Sequence, residues 1–174
     1  MNQSDWENAK KAMLLYDGGA SQIHLLSLPK SDIAHVFWVI SKSIINPVVT
    51  LIANVPLETN IALSEFVCDK VKISQFEIGQ STITAKIFES ADITFDLWSE
   101  KDSETFDLEI WFWADEFFPG DDTENQTRFY YLLSILKNII KNGAIRCVLT
   151  PCEASDPLKD LEKGYGIEIE LINA

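Results

Sequence analysis

A chain of 174 residues with 27 acidic against 14 basic side chains carries a formal net charge of −13, which excludes the basic footprint that direct nucleic-acid binding requires. Its hydrophobic share of 47%, with ten phenylalanines and five tryptophans, excludes wholesale disorder and suits one packed domain over residues 1–174. Three cysteines, Cys68, Cys147 and Cys152, form an odd set in a chain long enough to hold without staples, so a disulfide framework is not expected and a cytoplasmic setting is.

The N-terminus, Met1 to Glu7, lacks a basic segment followed by an apolar run and reads as no secretory signal. Ser4-Asp5-Trp6-Glu7 has the form of a capping box, and an amphipathic helix can follow to about Tyr16 before Asp17-Gly18-Gly19 stops it. Gln22 to Leu28 is a short apolar strand ended by Pro29. Ser31 is placed to cap a second helix with Ile33, Val36, Phe37, Ile40 and Ile44 on one face. The most apolar region, Ile33 to Leu57, is broken by His35, Lys42, Asn46, Pro47 and Asn54. A membrane span needs about 18 nearly unbroken apolar residues, so a core helix followed by a core strand is the better reading.

From Val48 to about Ala114 the pattern has a period of two. Val48 to Ala53 reads as a buried strand, Leu57 to Phe66 is ambiguous, and Val71 to Ile78, Thr82 to Phe88, Asp92 to Trp98 and Phe106 to Ala114 follow as strands. Their short connections favour an antiparallel meander. Thr123-Glu124-Asn125-Gln126 is a second capping box, ahead of a stripe of Phe129, Leu132, Leu133, Leu136 and Ile140 that Asn142-Gly143 closes. Ile145 to Leu149 is a strand, Asp156-Pro157 opens a short helix ending at Gly164, and Ile167 to Leu171 alternates as a final strand. The expected class is α+β: a mostly antiparallel meander sheet with helices packed on one face.

The charge is concentrated. Between Glu89 and Glu124 lie thirteen acidic residues and one base, Lys101, so this segment carries nearly all of the net charge. Its two strands can be read side by side. Ile93, Phe95 and Leu97 face one way, with Asp92, Thr94, Asp96 and Trp98 opposite. Phe106, Leu108, Ile110 and Phe112 face inward, with Asp107, Glu109, Trp111, Trp113 and Asp115 outward. One sheet face then mixes at least five carboxylates with Trp98, Trp111 and Trp113. Tryptophan supplies contact area at binding hot spots, and a single-sign field steers a basic partner. The plainer alternative is a solvated face whose tryptophans are covered by the Thr123–Asn142 helix or a loop.

Catalytic chemistry finds weaker support. Asp115-Glu116 and Asp121-Asp122-Thr123-Glu124 bracket Pro119-Gly120, and clustered oxygens suit Mg²⁺ or Ca²⁺, but the spacing matches no EF-hand loop. His24 and His35 are the only histidines, with no paired Cys-x-x-Cys, so zinc is not expected. Cys147 and Cys152 read as buried small hydrophobes, and His24 and His35 as structural or surface residues. No P-loop and no Gly-x-Gly-x-x-Gly occurs, so no cofactor is expected. The expectation is a monomeric, non-catalytic binding protein whose acidic, Trp-bearing face captures a basic protein, with inhibition of a nuclease-like toxin as one form. The alternative is a small carboxylate- or metal-dependent hydrolase with its site at residues 115–122.

Overall fold

The computed structural model describes residues 3–14 (side chains of 6–13), 20–67, 76, 79–89, 91–141, 145–151 and 156–171. Eight strands form one antiparallel sheet: β1 (Ala20–Pro29), β2 (Ile45–Ile52), β3 (Val55–Ala62), β4 (Gly79–Ile87), β5 (Ala91–Ser99), β6 (Thr105–Trp113), β7 (Arg146–Pro151) and β8 (Ile167–Ile169). Their order across the sheet is β3-β2-β4-β5-β6-β1-β7-β8. The helices are α1 (Gln3–Leu14), α2 (Ile33–Ser43), α3 (Leu63–Val67), α4 (Ala114–Phe117), α5 (Asp122–Ile139) and α6 (Pro157–Glu162). This is the α+β class that the alternating and helical patterns imply.

The meander holds only in part. β4, β5 and β6 are successive neighbours, and β2 and β7 each pair with the strand that follows. β2 also pairs with β4, and β1 enters the middle of the sheet between β6 and β7. The ambiguous Leu57–Phe66 stretch divides, with strand to Ala62 and helix from Leu63. The strand expected over Val71–Ile78 lies outside the described residues apart from Phe76, as do the Ser4 side chain, Cys68, Asn142-Gly143 and Cys152.

The core lies between the sheet and α1, α2, α3 and α5. Ile23, Leu25, Ile83, Ile93, Phe95, Leu97, Phe106, Leu108, Ile110 and Phe112 supply the sheet's buried face. α2 buries Ile33, Val36, Phe37, Val39 and Ile40, and α5 buries Phe129, Leu132, Leu133, Ile135, Leu136 and Ile139. Trp6 of α1 meets Phe118 and Phe129 at 5.4 and 5.6 Å between ring centres. Phe88, held in the left-handed region at φ +53°, packs against Phe117 and Tyr131 with the Arg128 guanidinium 4.9 Å over its ring. Such a backbone persists only where its surroundings fix it, and these contacts tie the β4–β5 turn to α5.

Three helix starts differ from the sequence reading, the first being α1, which begins at Gln3 and so already contains Ser4. Ser31 does not cap α2: Pro29, with φ −60°, leads into a 3₁₀ turn over Lys30–Asp32, and α2 continues from it without a side-chain cap. α5 is capped by Asp121, not Thr123, with the Asp121 carboxylate accepting from Glu124 N at 2.9 Å. Asn125 clamps Gly120 through both its N–H and its carbonyl, which places the turn two residues earlier than the capping box suggests. α6 follows expectation: Asp156 accepts from Lys159 N, Pro157 takes the first helical position, and Gly164 at φ +79° ends it. Tyr165 N–H reaches back to Asp160 O at 2.9 Å, which makes this end a Schellman motif.

Ile110 stands opposite both Ile23 and Phe95 and is fully buried. Ile110→Ala should cost about 2–5 kcal/mol in urea unfolding; a loss below about 1 kcal/mol would contradict its place at the centre of the core.

Candidate functional site

The pleat of β5 and β6 sorts the acidic segment as the alternation predicts. Trp98 pairs with Asp107, Asp96 with Glu109 and Thr94 with Trp111, so these side chains share the face opposite the core. β1 extends the row, because Gln22 lies opposite Trp111 and His24 opposite Glu109. β7 extends it again, with Thr150 opposite Gln22 and Val148 opposite His24.

α5 does not cover this face, since its buried residues pack into the core on the other side. Trp98 and Trp113 are 45% and 48% exposed, while Trp111 is half-buried. Among the described residues, cover lies on the β7 side of the sheet. The chain at Gly166 runs against Val148 and Thr150, and the first turn of α6 joins Trp98, Trp111, Glu109, Asp107 and His24 around a cavity of about 710 Å³. Three long helices thus occupy one face, and the short α6 stands on the other as a rim.

Glu109 is the centre of this arrangement. Its Oε1 accepts from Gln22 Nε2 at 2.8 Å, and its Oε2 accepts from Trp98 Nε1 at 3.1 Å. Trp111 Nε1 lies beside the same carboxylate, close enough to favour its charge but without hydrogen-bond geometry. Burial raises the Glu109 carboxyl above its ordinary value, and nearby Asp96 adds to this, against the indole N–H groups that lower it. His24 Nδ1 approaches Glu109 Oε1 at 3.7 Å, and its Nε2 meets Thr150 Oγ1 at 3.1 Å. Burial lowers His24 to about 4, so at neutral pH the ring is uncharged and does not pair with Glu109 as an ion.

A β-bulge shapes the rim. Leu25 stands opposite Leu108 and Leu28 opposite Phe106, so β1 carries one extra residue between them. Without it Leu28 would face outward; with it Leu28 is buried. Ser27 in the bulge takes φ +62°, and its N–H donates to Asp107 Oδ1 at 2.7 Å.

The sequence-predicted residues therefore separate. Trp98, Asp107, Glu109 and Trp111 converge on the cavity. Asp96 is on the right face but only 8% exposed; Thr82 Oγ1 and Gln80 bond it, and burial raises its carboxyl. Asp92, at the far end, pairs with Lys86 at 3.0 Å. Trp113 stands exposed opposite Ala20. Asp115 does not continue the outward row of β6, because that strand ends at Trp113 and Asp115 lies in α4, where its carboxylate accepts from Glu116 N.

The acidic stretch at 115–122 is occupied with local structure. Asp121 caps α5, and Asp122 accepts from Trp6 Nε1 and Lys10 Nζ, with the lysine holding its carboxyl below the usual range. Among the described residues no three His, Cys, Asp or Glu side chains gather as metal ligands. Cys147 is buried, and its thiol is pushed up by desolvation. His35 Nε2 meets Asn138 O at 2.8 Å, a link between α2 and α5. No helix among the described residues is long and apolar enough to cross a membrane.

Sequence reasoning missed Gln22 and His24 as members of the site. The available signal was the spacing Ile23, Leu25, Leu28, where period two breaks and marks the bulge. Comparison with known protein families, curated proteins and solved structures finds no match to this chain.

His24 makes a pH prediction. Its folded value of about 4 lies below the ordinary 6.5, so below pH 6.5 the unfolded chain takes up a proton that the folded chain resists. Its share of stability is present above 6.5, falls as pH drops towards 4, and amounts to about 3 kcal/mol. The raised carboxyls of Asp96 and Glu109 act in the opposite sense, so the comparison is between wild type and His24→Gln. Wild type should lose about that much more stability than the variant between pH 6.5 and 4; parallel curves would show that His24 is not held neutral.

Proposed function

We propose that this chain is a non-catalytic binding protein whose acidic, Trp-bearing sheet face captures a basic protein. One observation carries the reading: Trp98 and Trp113 are exposed on a sheet face that the long helices leave open, among carboxylates of β5 and β6. Two exposed indoles on one open face offer a partner apolar contact area beside the charge. Indoles give contact area at low conformational cost, and the negative field accelerates the approach of a cationic surface. The field also opposes self-association through this face. Inhibition of a nuclease-like toxin suits the charge, because a nuclease active site is basic and an acidic face can occupy it.

The test is capture by the tagged chain from cells that express it, at low and high salt. One basic protein retained by wild type at low salt, and lost with Asp107→Lys plus Glu109→Lys, is the expected result. With that partner purified, Trp98→Ala should weaken binding by about 2 kcal/mol or more, roughly 30-fold, mainly through faster dissociation. The charge reversal should mainly slow association. A partner held equally by wild type and both variants would place its binding elsewhere on the molecule.

A further inference from the structure

We propose that the cavity between Trp98, Trp111 and the first turn of α6 is a subsite for an arginine side chain of the captured protein. This rests on the binding-face reading above and assigns the chemistry of one position in it. The cavity is an open hollow where the sheet steps up to α6, so a side chain entering it meets the sheet on one side and the start of α6 on another. Its walls include two indoles, and Asp107, Glu109 and Asp156 supply carboxylates, the last already paired with Lys159 at 2.8 Å. None of the described lining residues is a lysine or arginine, and His24 is kept neutral by burial. An occupant that complements these walls is cationic and has flat apolar faces.

Guanidinium fits better than ammonium. It is planar, stacks on an indole face, and is more weakly hydrated, so it enters a half-buried aromatic site at lower cost. Its fork of N–H donors also suits carboxylate oxygens. A carboxylate has about four acceptor positions. Glu109 uses one on each oxygen for Gln22 and Trp98, and Asp107 uses one for Ser27 N–H, which leaves capacity on both. Those same bonds fix the two carboxylates and the Trp98 ring before any ligand arrives, so little order is lost on binding. The volume, about 710 Å³, is more than one guanidinium fills. The remainder accommodates the residues flanking the arginine, which favours a protein side chain over the free amino acid.

The probe is the peptide acetyl-Gly-Arg-Gly-amide, titrated into the full chain while the tryptophan indole N–H signals are followed by NMR. Counterparts with citrulline or lysine, free arginine, and nona-lysine complete the set. The arginine peptide should shift the Trp98 and Trp111 signals saturably, at least tenfold more tightly than the citrulline and lysine peptides and more tightly than free arginine. Glu109→Gln should weaken it about tenfold, and Asp107→Asn severalfold; the second variant serves if the first disturbs the fold. Equal binding of the citrulline peptide would overturn a charge-reading pocket. Equal binding of the lysine peptide would overturn the guanidinium assignment, and equal binding of free arginine would make the occupant a small molecule. If nona-lysine shifts Trp113 while the arginine peptide leaves Trp98 and Trp111 unmoved, the face stands and the subsite falls. If neither moves any indole signal, the face reading falls with it.

Discussion

The alternation of β6 is the constraint from which the rest follows. Phe106, Leu108, Ile110 and Phe112 have to be buried, and in a strand that commits Asp107, Glu109, Trp111 and Trp113 to the other side. A register slip of one residue would place two carboxylates in the phenylalanine core. The sequence therefore holds β6 in one register between β5 and β1, and that register determines which outward residues meet. The acidic face is in this sense a consequence of a well-specified core, with its composition free to serve another purpose.

What distinguishes the face from a plain solvated surface is how Glu109 is kept. Exposed carboxylates need no partners, and those of Asp92, Asp156 and Glu168 pair with Lys86, Lys159 and Arg146 near the surface, where each pair contributes little. Glu109 is instead drawn partly out of water and stabilised by neutral donors, Gln22 and Trp98. Burial of a charge without a counter-ion is unfavourable. Its persistence here, beside a cavity edged by a β-bulge, makes it the best-defined place for a cation to add stabilisation. The cavity lies where the start of α6, which packs on β7, faces Trp98 of β5 and Asp107 and Glu109 of β6.

Much of this was legible in the sequence because it is local. The two faces of β5 and β6, the apolar stripes of α2 and α5, and the Asp156-Pro157 start and Gly164 end of α6 all follow from spacing within a few residues. The cap of α5 was less determinate: Asp121, Asp122 and Thr123 are all competent, and the choice falls to Asp121 through the Gly120–Asn125 clamp and the recruitment of Asp122 by Trp6 and Lys10. The site was only half legible. Trp98, Asp107, Glu109 and Trp111 share a hairpin, whereas Gln22 and His24 reach Glu109 across more than eighty residues of chain because β1 inserts beside β6. No local pattern encodes that insertion, so His24 read as a residue without a site. Asp96 and Asp115 show the converse limit, since alternation alone reveals neither the burial of one nor the end of the strand before the other.

Glu109 is a partly buried carboxylate beside which no described residue places a cation. The most direct measurement is the titration of the Glu109 side-chain carboxyl in the free protein, followed by carbon NMR with Glu109→Gln to assign the signal. A midpoint above the ordinary glutamate value is predicted, because desolvation outweighs the donors that surround it. A midpoint at or below that value would mean that solvent or a cationic group already compensates the charge, and Glu109 would then offer a cation no special stabilisation.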